Sequence, residues 1–391
     1  MPVDCDVALL GTGVAPLVAA SHFLAEGKSV LLLNPDWDFF LENSELPLDP
    51  LWPVGKKTLA SQRLFRSLPE RVLSELRPEF PGAVETWPGS SGYHDYGAPH
   101  VRLRGRLWMN FDQELLEEVY VEASDAGLNP QLLEGLPASR RFPGFSGPGA
   151  EDCRGLLVPK LCDVDVYRYR NGLLEFVRER LGPERLLCNA LQIEIMPGGV
   201  RFHAEGAPKT ARIRERMLVY WTPRLSQWIL SQAKKRNITP TQPTGARLWE
   251  QWSLISKESL GEGTDCGAVG MLDDTAVWAE VEGAPSAPLT RLSVLRAGKL
   301  VRLDAMSLPE GGMSLASSES FKALSSLCSG FLKWDRFSIR SLRSRALFEW
   351  DRETPWSLSK GEPEVRVIPA CDGWLTDVVR VARASCQEGV S

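Results

Sequence analysis

Residues 6–35 read DVALLGTGVAPLVAASHFLAEGKSVLLLNP, with two apolar runs on either side of a helix-like stretch. Residues 7–10 form a short apolar run that predicts a buried parallel strand. Residues 15–26 place apolar side chains on one helical face, and Gly27 is positioned to end that helix. Residues 29–33 predict a second buried strand. A strand, a turn, a helix and a strand within about 30 residues indicate an α/β fold that opens with a parallel βαβ unit.

The turn between the first strand and the helix carries two glycines, Gly11 and Gly13. Gly11 permits a tight turn, and Gly13 has no side chain, so a pyrophosphate can approach the backbone there. The helix that opens with Ala15 and Pro16 would direct its free N–H groups and its dipole at the phosphates. The pattern predicts a dinucleotide-binding turn. The alternative is a glycine-rich turn in another kind of α/β protein.

Two residues depart from the usual dinucleotide-binding pattern. Asn34 ends the second strand, where an acidic residue normally accepts hydrogen bonds from both ribose hydroxyls. Because Asn34 has no charge, we expect its contact with a ribose to be weaker by about 1 kcal/mol. Pro16 replaces the third glycine, and proline is tolerated in the first helical turn because its missing N–H would have no helical partner. Neither departure abolishes the predicted site.

The composition argues against several other classes of function. The 391 residues suit two domains, and a net charge of -5 gives no broad electrostatic footprint for nucleic acid or an anionic membrane. No apolar run reaches the length of a membrane span, and the acidic N-terminus is unlike a secretory signal. Eight cysteines without a CxxC pair indicate reduced thiols and a cytoplasmic location, and only four histidines argue against a metal site.

Tryptophan is unusually frequent, with 13 residues in the chain. One interpretation is packing in the core and between domains. The other is an aromatic-lined cavity for a flat or apolar ligand.

The rest of the chain predicts an alternation of helices and strands. Helices are expected over residues 59–77, 112–126, 171–181, 225–235 and 320–334. Strands are expected over residues 185–195, from Val200 onward and over 217–221. Tight turns are expected at Gly105 in a β-ribbon and, in two hairpins, at Asp273-Asp274 and Ala297-Gly298. Residues 35–53 and 140–155 are typical of loops, and residues 367–388 predict a strand, a turn and a helix.

Three separated segments resemble the FAD-dependent amine oxidase and phytoene desaturase superfamily, with its glutathione-reductase-type flavin domain. The first is GTGVAP at residues 11–16, followed by LLLN. The second is residues 167–195, followed by LVYWTPRLSQWIL at residues 218–230. The third is ACDGWLTDVVRVA at residues 370–382. The chain lacks the paired glycine and arginine that usually follow the ribose-binding acid, so the resemblance is to a divergent member.

The resemblance implies FAD as the cofactor and gives roles to individual residues. Gly11 and Gly13 would meet the pyrophosphate, and Asn34 would meet the ribose. The backbone of Leu191 or Gln192 would meet the adenine. The complete set of expected cofactor residues is Gly11, Gly13, Ala15, Pro16, Asn34, Leu191, Gln192, Asp372 and Leu375.

Two of these residues belong to the C-terminal segment. Asp372 would bind near the pyrophosphate, and Leu375 would approach the flavin ring. Asp372 is equally well placed to cap the N-terminus of the final helix, and one aspartate can serve both roles.

The resemblance also implies a division of the chain into two domains. The FAD-binding domain would be Rossmann-like and discontinuous, with a parallel sheet, and would comprise residues 1–80, 156–235 and 360–391. An α+β substrate-binding domain with a mixed antiparallel sheet would comprise residues 81–155 and 236–359.

The substrate would lie between the flavin and the antiparallel sheet, against a wall of six candidate residues: Arg168, Tyr169, Trp249, Trp252, Trp278 and Lys299. Some relatives use a lysine to hold a water near the flavin, but Lys299 also fits a solvated lysine in a hairpin turn. If residues 167–170 are extended, Arg168 and Arg170 share a face that binds a substrate carboxylate or simply faces solvent.

Two functions follow from the resemblance. The first is an FAD-dependent oxidoreductase that removes a hydride from a C–N or C–C bond of an amine, amino-acid, peptide or apolar substrate. The second is a non-catalytic flavoprotein-like protein, as in Rab GDP-dissociation inhibitors, that recognises a protein or lipid partner. The partner classes left open are a small-molecule or peptide substrate, another protein and a second copy of this chain. NAD-dependent dehydrogenation is a more distant third, because the C-terminal motif has no role in it.

Overall fold

A computed structural model describes residues 3–36, 45–46, 76, 101–103, 106–109, 113–134, 154–159, 162–164, 166–222, 225–256, 267–272, 275–282, 289–302, 337–350, 354–359, 361, 363–369 and 373–387. The helices with described bounds are α1 (Val14–Ala25), α2 (Gln113–Asp125), α3 (Val166–Leu181), α4 (Ser226–Lys235) and α5 (Leu375–Gln387). The described strands are β1 (Val3–Leu10), β2 (Val30–Leu33), β3 (Glu45–Leu46), β4 (Val101–Leu103), β5 (Arg106–Met109), β6 (Gln131–Glu134), β7 (Arg154–Val158), β8 (Cys162–Val164), β9 (Leu186–Leu187), β10 (Leu191–Met196), β11 (Gly199–Ala204), β12 (Ala207–Tyr220), β13 (Gly245–Ser256), β14 (Gly267–Leu272), β15 (Thr275–Glu282), β16 (Leu289–Arg302), β17 (Phe337–Glu349), β18 (Trp356–Ser359), β19 (Glu364–Ile368) and β20 (Gly373–Trp374).

The first sheet is parallel at its centre. Its strands follow the order β10-β11-β12-β1-β2-β9, with β19 also beside β12 and β18 beside β19. The strand β1 pairs in parallel with β2 and β12, and β12 pairs in parallel with β19. The opening strand, helix and strand form the predicted βαβ unit, with α1 as the crossover.

Both faces of this sheet are covered, which explains the unbroken apolar runs in its strands. Val7 and Leu9 face a cluster that also contains buried residues of α1, α3 and α5, here called the α1-side core. Ala8 and Leu10 face a second cluster that contains residues of α4, β11 and β12, here called the α4-side core. Successive residues of β1 thus serve opposite faces, as the period of a strand requires.

A short hydrogen-bonded network joins β1 to the residue before β2 at the N-terminal edge of the sheet. Asp6 Oδ2 accepts from the Ser29 hydroxyl at 2.7 Å and from the Ser29 N–H at 2.8 Å. These bonds hold the pKa of Asp6 below its ordinary value, and the bond from the hydroxyl has the largest effect.

The second sheet is mainly antiparallel, with the order β17-β13-β16-β15-β14-β5-β7-β6. Within it, β5 and β14 form a parallel pair. The predicted fold class is therefore confirmed: a mainly parallel sheet with helices, and a separate antiparallel sheet. The residue limits of the two domains remain a prediction.

The prediction of a hairpin that turns at Ala297-Gly298 is wrong. Residues 289–302 form one strand, β16, which pairs with β13 along its length. Arg247 pairs with Leu300 and Trp249 with Ala297, so β16 has one more residue than β13 in this interval. The glycine marks a bulge within a strand instead of a turn between two strands. Lys299 is consequently a strand residue and not a turn residue.

The prediction of a β-ribbon that turns at Gly105 is also wrong. The strand β4 pairs with β8, whereas β5 pairs with β14 and β7. The single strand expected over residues 185–195 is two strands: β9 lies beside β2, and β10 lies beside β11. The positive φ of 55° at Asn189 falls between them. A loop was expected over residues 35–53, but Glu45–Leu46 forms the short strand β3.

Other elements agree with the sequence. The helices expected over residues 112–126 and 225–235 are α2 and α4, the β14–β15 hairpin forms, and the C-terminal strand and helix are β19 and α5. The helix expected over residues 171–181 is present but begins five residues earlier, at Val166. The helix expected over residues 320–334 lies outside the described residues, as does that over 59–77 except for the helical, buried Leu76.

Candidate dinucleotide-binding site

The glycine turn lies at the C-terminal end of β1, between β2 and β12. Gly13 has φ 78° and ψ -157°, a conformation that glycine adopts far more readily than other residues. Gly11 is required for a different reason. A Cβ at Gly11 would come within 2.9 Å of the Tyr220 Cβ, so the close approach of β12 excludes a side chain. Both glycines thus have a physical cause in the structure.

The N-terminus of α1 presents backbone without a side-chain cap. Gly13 is the N-cap residue, and no side chain makes a capping hydrogen bond there. The first turn contains no acidic residue, so the positive end of the helix dipole is not neutralised by a carboxylate of its own turn. Ala15 and Pro16 are buried in this turn. Pro16 is the third helical residue, and proline is tolerated there because an N–H in the first turn has no partner within the helix. The turn can therefore receive an anionic group, with one N–H fewer than usual.

Asn34 is fully buried at the end of β2, and its carboxamide bonds within the chain. Its Oδ1 accepts from the Asp36 N–H at 2.9 Å, and its Nδ2 lies 3.8 Å from Cys188 Sγ. The main chain is also bonded, because the Asn34 N–H donates to the Leu187 carbonyl and the Asn34 carbonyl accepts from the Ala190 N–H, each at 2.8 Å. The Asn34 side chain thus shapes the turn after β2.

Asp36 is an acidic residue in this turn that the sequence reasoning passed over. It is 0% exposed and lies two residues beyond the position where an acid was expected. Its carbonyl accepts from the Asn189 N–H at 2.7 Å. The signal for it was the Asn-Pro-Asp sequence, which is typical of a side-chain-stabilised turn.

Leu191 and Gln192 begin β10, directly after this bonded segment. Leu191 is 45% exposed, which is unusual for a large apolar side chain in this part of the chain. Gln192 has φ 49°, and the pairing with β11 shifts between Leu191 and Glu194. Such a bulge interrupts the strand ladder and redirects the backbone. Through the Ala190–Asn34 bond, the structure brings the expected adenine and ribose residues together.

The C-terminal helix packs beside the first helix. Leu375 is fully buried in the α1-side core, with Val14, Ala15 and Leu17 of α1. The strand β20 precedes α5 and pairs in parallel with β3. The structure thus brings the first and third segments of the resemblance together. Asp372 lies outside the described residues.

The expected substrate residues fall on two different parts of the fold. Arg168 and Tyr169 belong to α3. The prediction of an extended stretch with Arg168 and Arg170 on one face is therefore wrong. Tyr169 is 3% exposed and lies in the α1-side core. The four others belong to the second sheet: Trp249 and Trp252 are on β13, Trp278 is on β15 and Lys299 is on β16 between them.

Three of the tryptophans pack against one another. Trp221, which follows β12, is 1% exposed in the α4-side core. Its ring meets Trp350 edge to face at 5.0 Å between centroids and lies 6.5 Å from Trp356. Trp350 follows β17 of the second sheet, so this contact joins the end of that sheet to the first. For these three residues, the packing interpretation of the tryptophan content holds.

Among the residues that the structure describes, no group of histidine, cysteine, aspartate and glutamate side chains could hold a metal ion. Likewise, none of the helices that the structure describes is long and apolar enough to cross a membrane.

Comparison with solved structures identifies the fold. The chain matches NikD, an unusual amino acid oxidase essential for nikkomycin biosynthesis, with a TM-score of 0.66 and 15% identity over 100% of this chain and 95% of that one. It matches iminodiacetate oxidase from Chelativorans sp. BNC1 with a TM-score of 0.60 and 13% identity over 97% and 93% of the two chains. Glycine oxidase from Bacillus cereus matches with a TM-score of 0.60 and 12% identity over 98% of this chain and 93% of that one. No protein-family model matches the sequence, and no curated protein matches it significantly. This chain therefore has the fold of these three oxidases.

Proposed function

We propose that this chain is an FAD-dependent oxidoreductase that oxidises the C–N bond of an amine or amino acid. The observation that carries the proposal is the buried glycine turn at the uncapped N-terminus of α1. That turn offers backbone N–H groups and a helix dipole to a pyrophosphate. It does so in a fold shared with oxidases of small nitrogen-containing acids.

The residues around the turn fit a dinucleotide. Gly11 and Gly13 would approach the pyrophosphate without a side chain between, and an additional Cβ at Gly11 would displace Tyr220. Asn34 and the bulge at Gln192 would lie at the adenosine end, where hydrogen bonds already join their two segments. Leu375, at the start of α5, would lie towards the flavin ring.

The chemistry that FAD supplies when bound is the acceptance of a hydride, which carries two electrons. In the proposed reaction, the C–H bond next to nitrogen breaks, a C=N bond forms and the nitrogen releases a proton. The chain would orient the substrate and exclude water. Oxidations of this kind often need no strong acid or base from the protein. The second sheet, with Trp249, Trp278 and Lys299, would supply the facing wall.

The proposal is tested by anaerobic reduction of the flavin-loaded protein with a panel of amines and amino acids. We expect at least one of them to bleach the visible flavin absorption. The matched control is the corresponding 2-hydroxy acid, in which oxygen replaces the nitrogen, and we expect it to leave the absorption unchanged. Bleaching by hydroxy acids alone would contradict oxidation at a C–N bond.

A second candidate function is supported by the internal bonding of Asn34. A carboxamide that is used inside the chain contributes less to a ribose, and Pro16 removes one N–H from the phosphate turn. Both observations favour a non-catalytic protein that keeps the flavoprotein fold and recognises a protein or lipid partner. Such a protein would take up no FAD, so flavin binding separates the two functions.

A further inference from the structure

Tyr220, the last residue of β12, lies between the glycine turn and the C-terminal helix. A Cβ on Gly11 would be 2.9 Å from the Tyr220 Cβ and 3.6 Å from its Cγ and Cδ2. The tyrosine is 0% exposed and belongs to the α1-side core, which also contains residues of α5. Its ring therefore supports the turn proposed to hold the pyrophosphate.

The Tyr220 hydroxyl makes a buried bond to α5. It lies 3.2 Å from Ser385 Oγ, and Ser385 Oγ donates to the Ala382 carbonyl at 2.6 Å. A serine hydroxyl has one proton, and here that proton is directed at Ala382. The Tyr220 hydroxyl is therefore the donor to Ser385. Since Ser385 is 2% exposed, the loss of either partner removes a bond that water does not replace.

We propose that Tyr220 is a positioning residue that fixes α5 lengthwise against the glycine turn. Apolar residues of α5 and α1 pack together in the α1-side core, and apolar contacts are non-directional and tolerate small sliding. A hydrogen bond to one hydroxyl defines a single position along the helix. Because Leu375 begins α5, this position sets the spacing between the pyrophosphate end and the flavin-ring end of the site. The inference rests on the proposed function, since these segments share a ligand only if FAD binds.

The test compares Tyr220→Phe, Ser385→Ala and the double variant with the wild-type protein. We expect each single variant to bind FAD about five- to tenfold more weakly, the effect of one buried hydrogen bond. We also expect the visible circular dichroism of the bound flavin to change in the same way in both, because the ring environment moves with α5. The double variant should be no weaker than either single variant, since all three lack the same bond.

The matched control is Ser21→Ala. Ser21 is 4% exposed on α1, and its hydroxyl donates to the Val18 carbonyl at 2.7 Å, the same three-residue spacing as Ser385 and Ala382. That hydrogen bond stays within its own helix. We expect this variant to bind FAD as the wild-type protein does, with an unchanged flavin spectrum.

The possible results separate this inference from the proposed function. Wild-type FAD affinity and an unchanged flavin spectrum in Tyr220→Phe would overturn the positioning role alone. A Ser21→Ala variant weakened to the same extent would also overturn it, because any buried hydroxyl would then suffice. A wild-type protein that takes up no FAD would overturn both. Tyr220→Phe keeps its ring, so it decides the matter even where Ser385→Ala does not fold.

Discussion

Gly11 and Gly13 belong to one sequence motif but are glycines for different physical reasons. At Gly13 the cause is the backbone, whose φ of 78° disfavours any side chain. At Gly11 the cause is packing, because the Cβ of Tyr220 occupies the space that a side chain would need. The motif predicted both glycines correctly as parts of a turn. It could not predict the packing at Gly11, because β12 comes about 200 residues later in the chain.

Gly11→Ala tests this packing. We expect the variant to lose about 3 kcal/mol of stability, since the nearest atom is a Cβ that has no freedom to swing aside. Gly27→Ala is the control: Gly27 has φ 77° with no atom within 4 Å of the added Cβ. Only its backbone conformation should matter, at about 1 kcal/mol. Urea unfolding measures both, and equal losses would contradict a packing cause at Gly11.

Asp6 makes stability depend on pH in the acid range. Its pKa is lowered in the folded protein by bonds from the Ser29 hydroxyl and N–H, so its ionised form stabilises the fold above the ordinary value of 3.8. This stabilisation is lost as the pH falls through the folded value. We expect Asp6→Asn to be less stable than wild type at pH 7, with a difference that shrinks as the pH is lowered below 3.8.

Urea midpoints between neutral pH and pH 3 measure this difference. Asp4→Asn is the control, because Asp4 is half-exposed and lies 4.0 Å from the exposed Arg214, a pair of little energetic value. A difference for Asp6→Asn that stays constant across the range would contradict the role of its charge.

Among the elements, α1 shows how far the sequence determines local structure. Apolar spacing and Gly27 predicted the helix and its end, and α1 spans Val14–Ala25. Three of the wrong predictions, at Gly105, over residues 185–195 and at Ala297-Gly298, concerned pairing between distant segments, whereas the error at Arg168 concerned local structure. The glycine in β16 has the signature of a turn, but β13 pairs across it and leaves a bulge. Only the partner strand distinguishes these two outcomes, and it is remote in sequence.

Pro16→Ala tests the first turn of α1. The N–H of the third helical residue has no carbonyl partner within the helix, so the change adds no helical hydrogen bond. The stability should change by less than about 1 kcal/mol, because the unfolded chain gains conformational freedom without proline. The added N–H should tighten FAD binding by a few-fold. Ala19→Pro, in the interior of α1, is the control and should cost about 3 kcal/mol or more. Equal losses from the two variants, measured by urea unfolding, would contradict the position assigned to Pro16.

For the whole molecule, the order of three weak segments predicted the fold class. The structure brings the first and third segments together through α1 and α5, and the first and second through hydrogen bonds between Asn34 and residues 187–190. Each segment alone fits many α/β proteins, but the order restricts the sheet topology. The sequence could not show that the Asn34 carboxamide bonds to the Asp36 N–H, because that depends on the turn conformation.

Flavin binding is measured most directly by the visible absorption spectrum of the protein, purified without added cofactor, before and after denaturation. If the protein is an FAD-dependent oxidoreductase, we expect flavin bands in the folded protein and the release of free FAD on denaturation. A protein that is colourless and also fails to take up added FAD would contradict the oxidoreductase function and favour a non-catalytic binding protein.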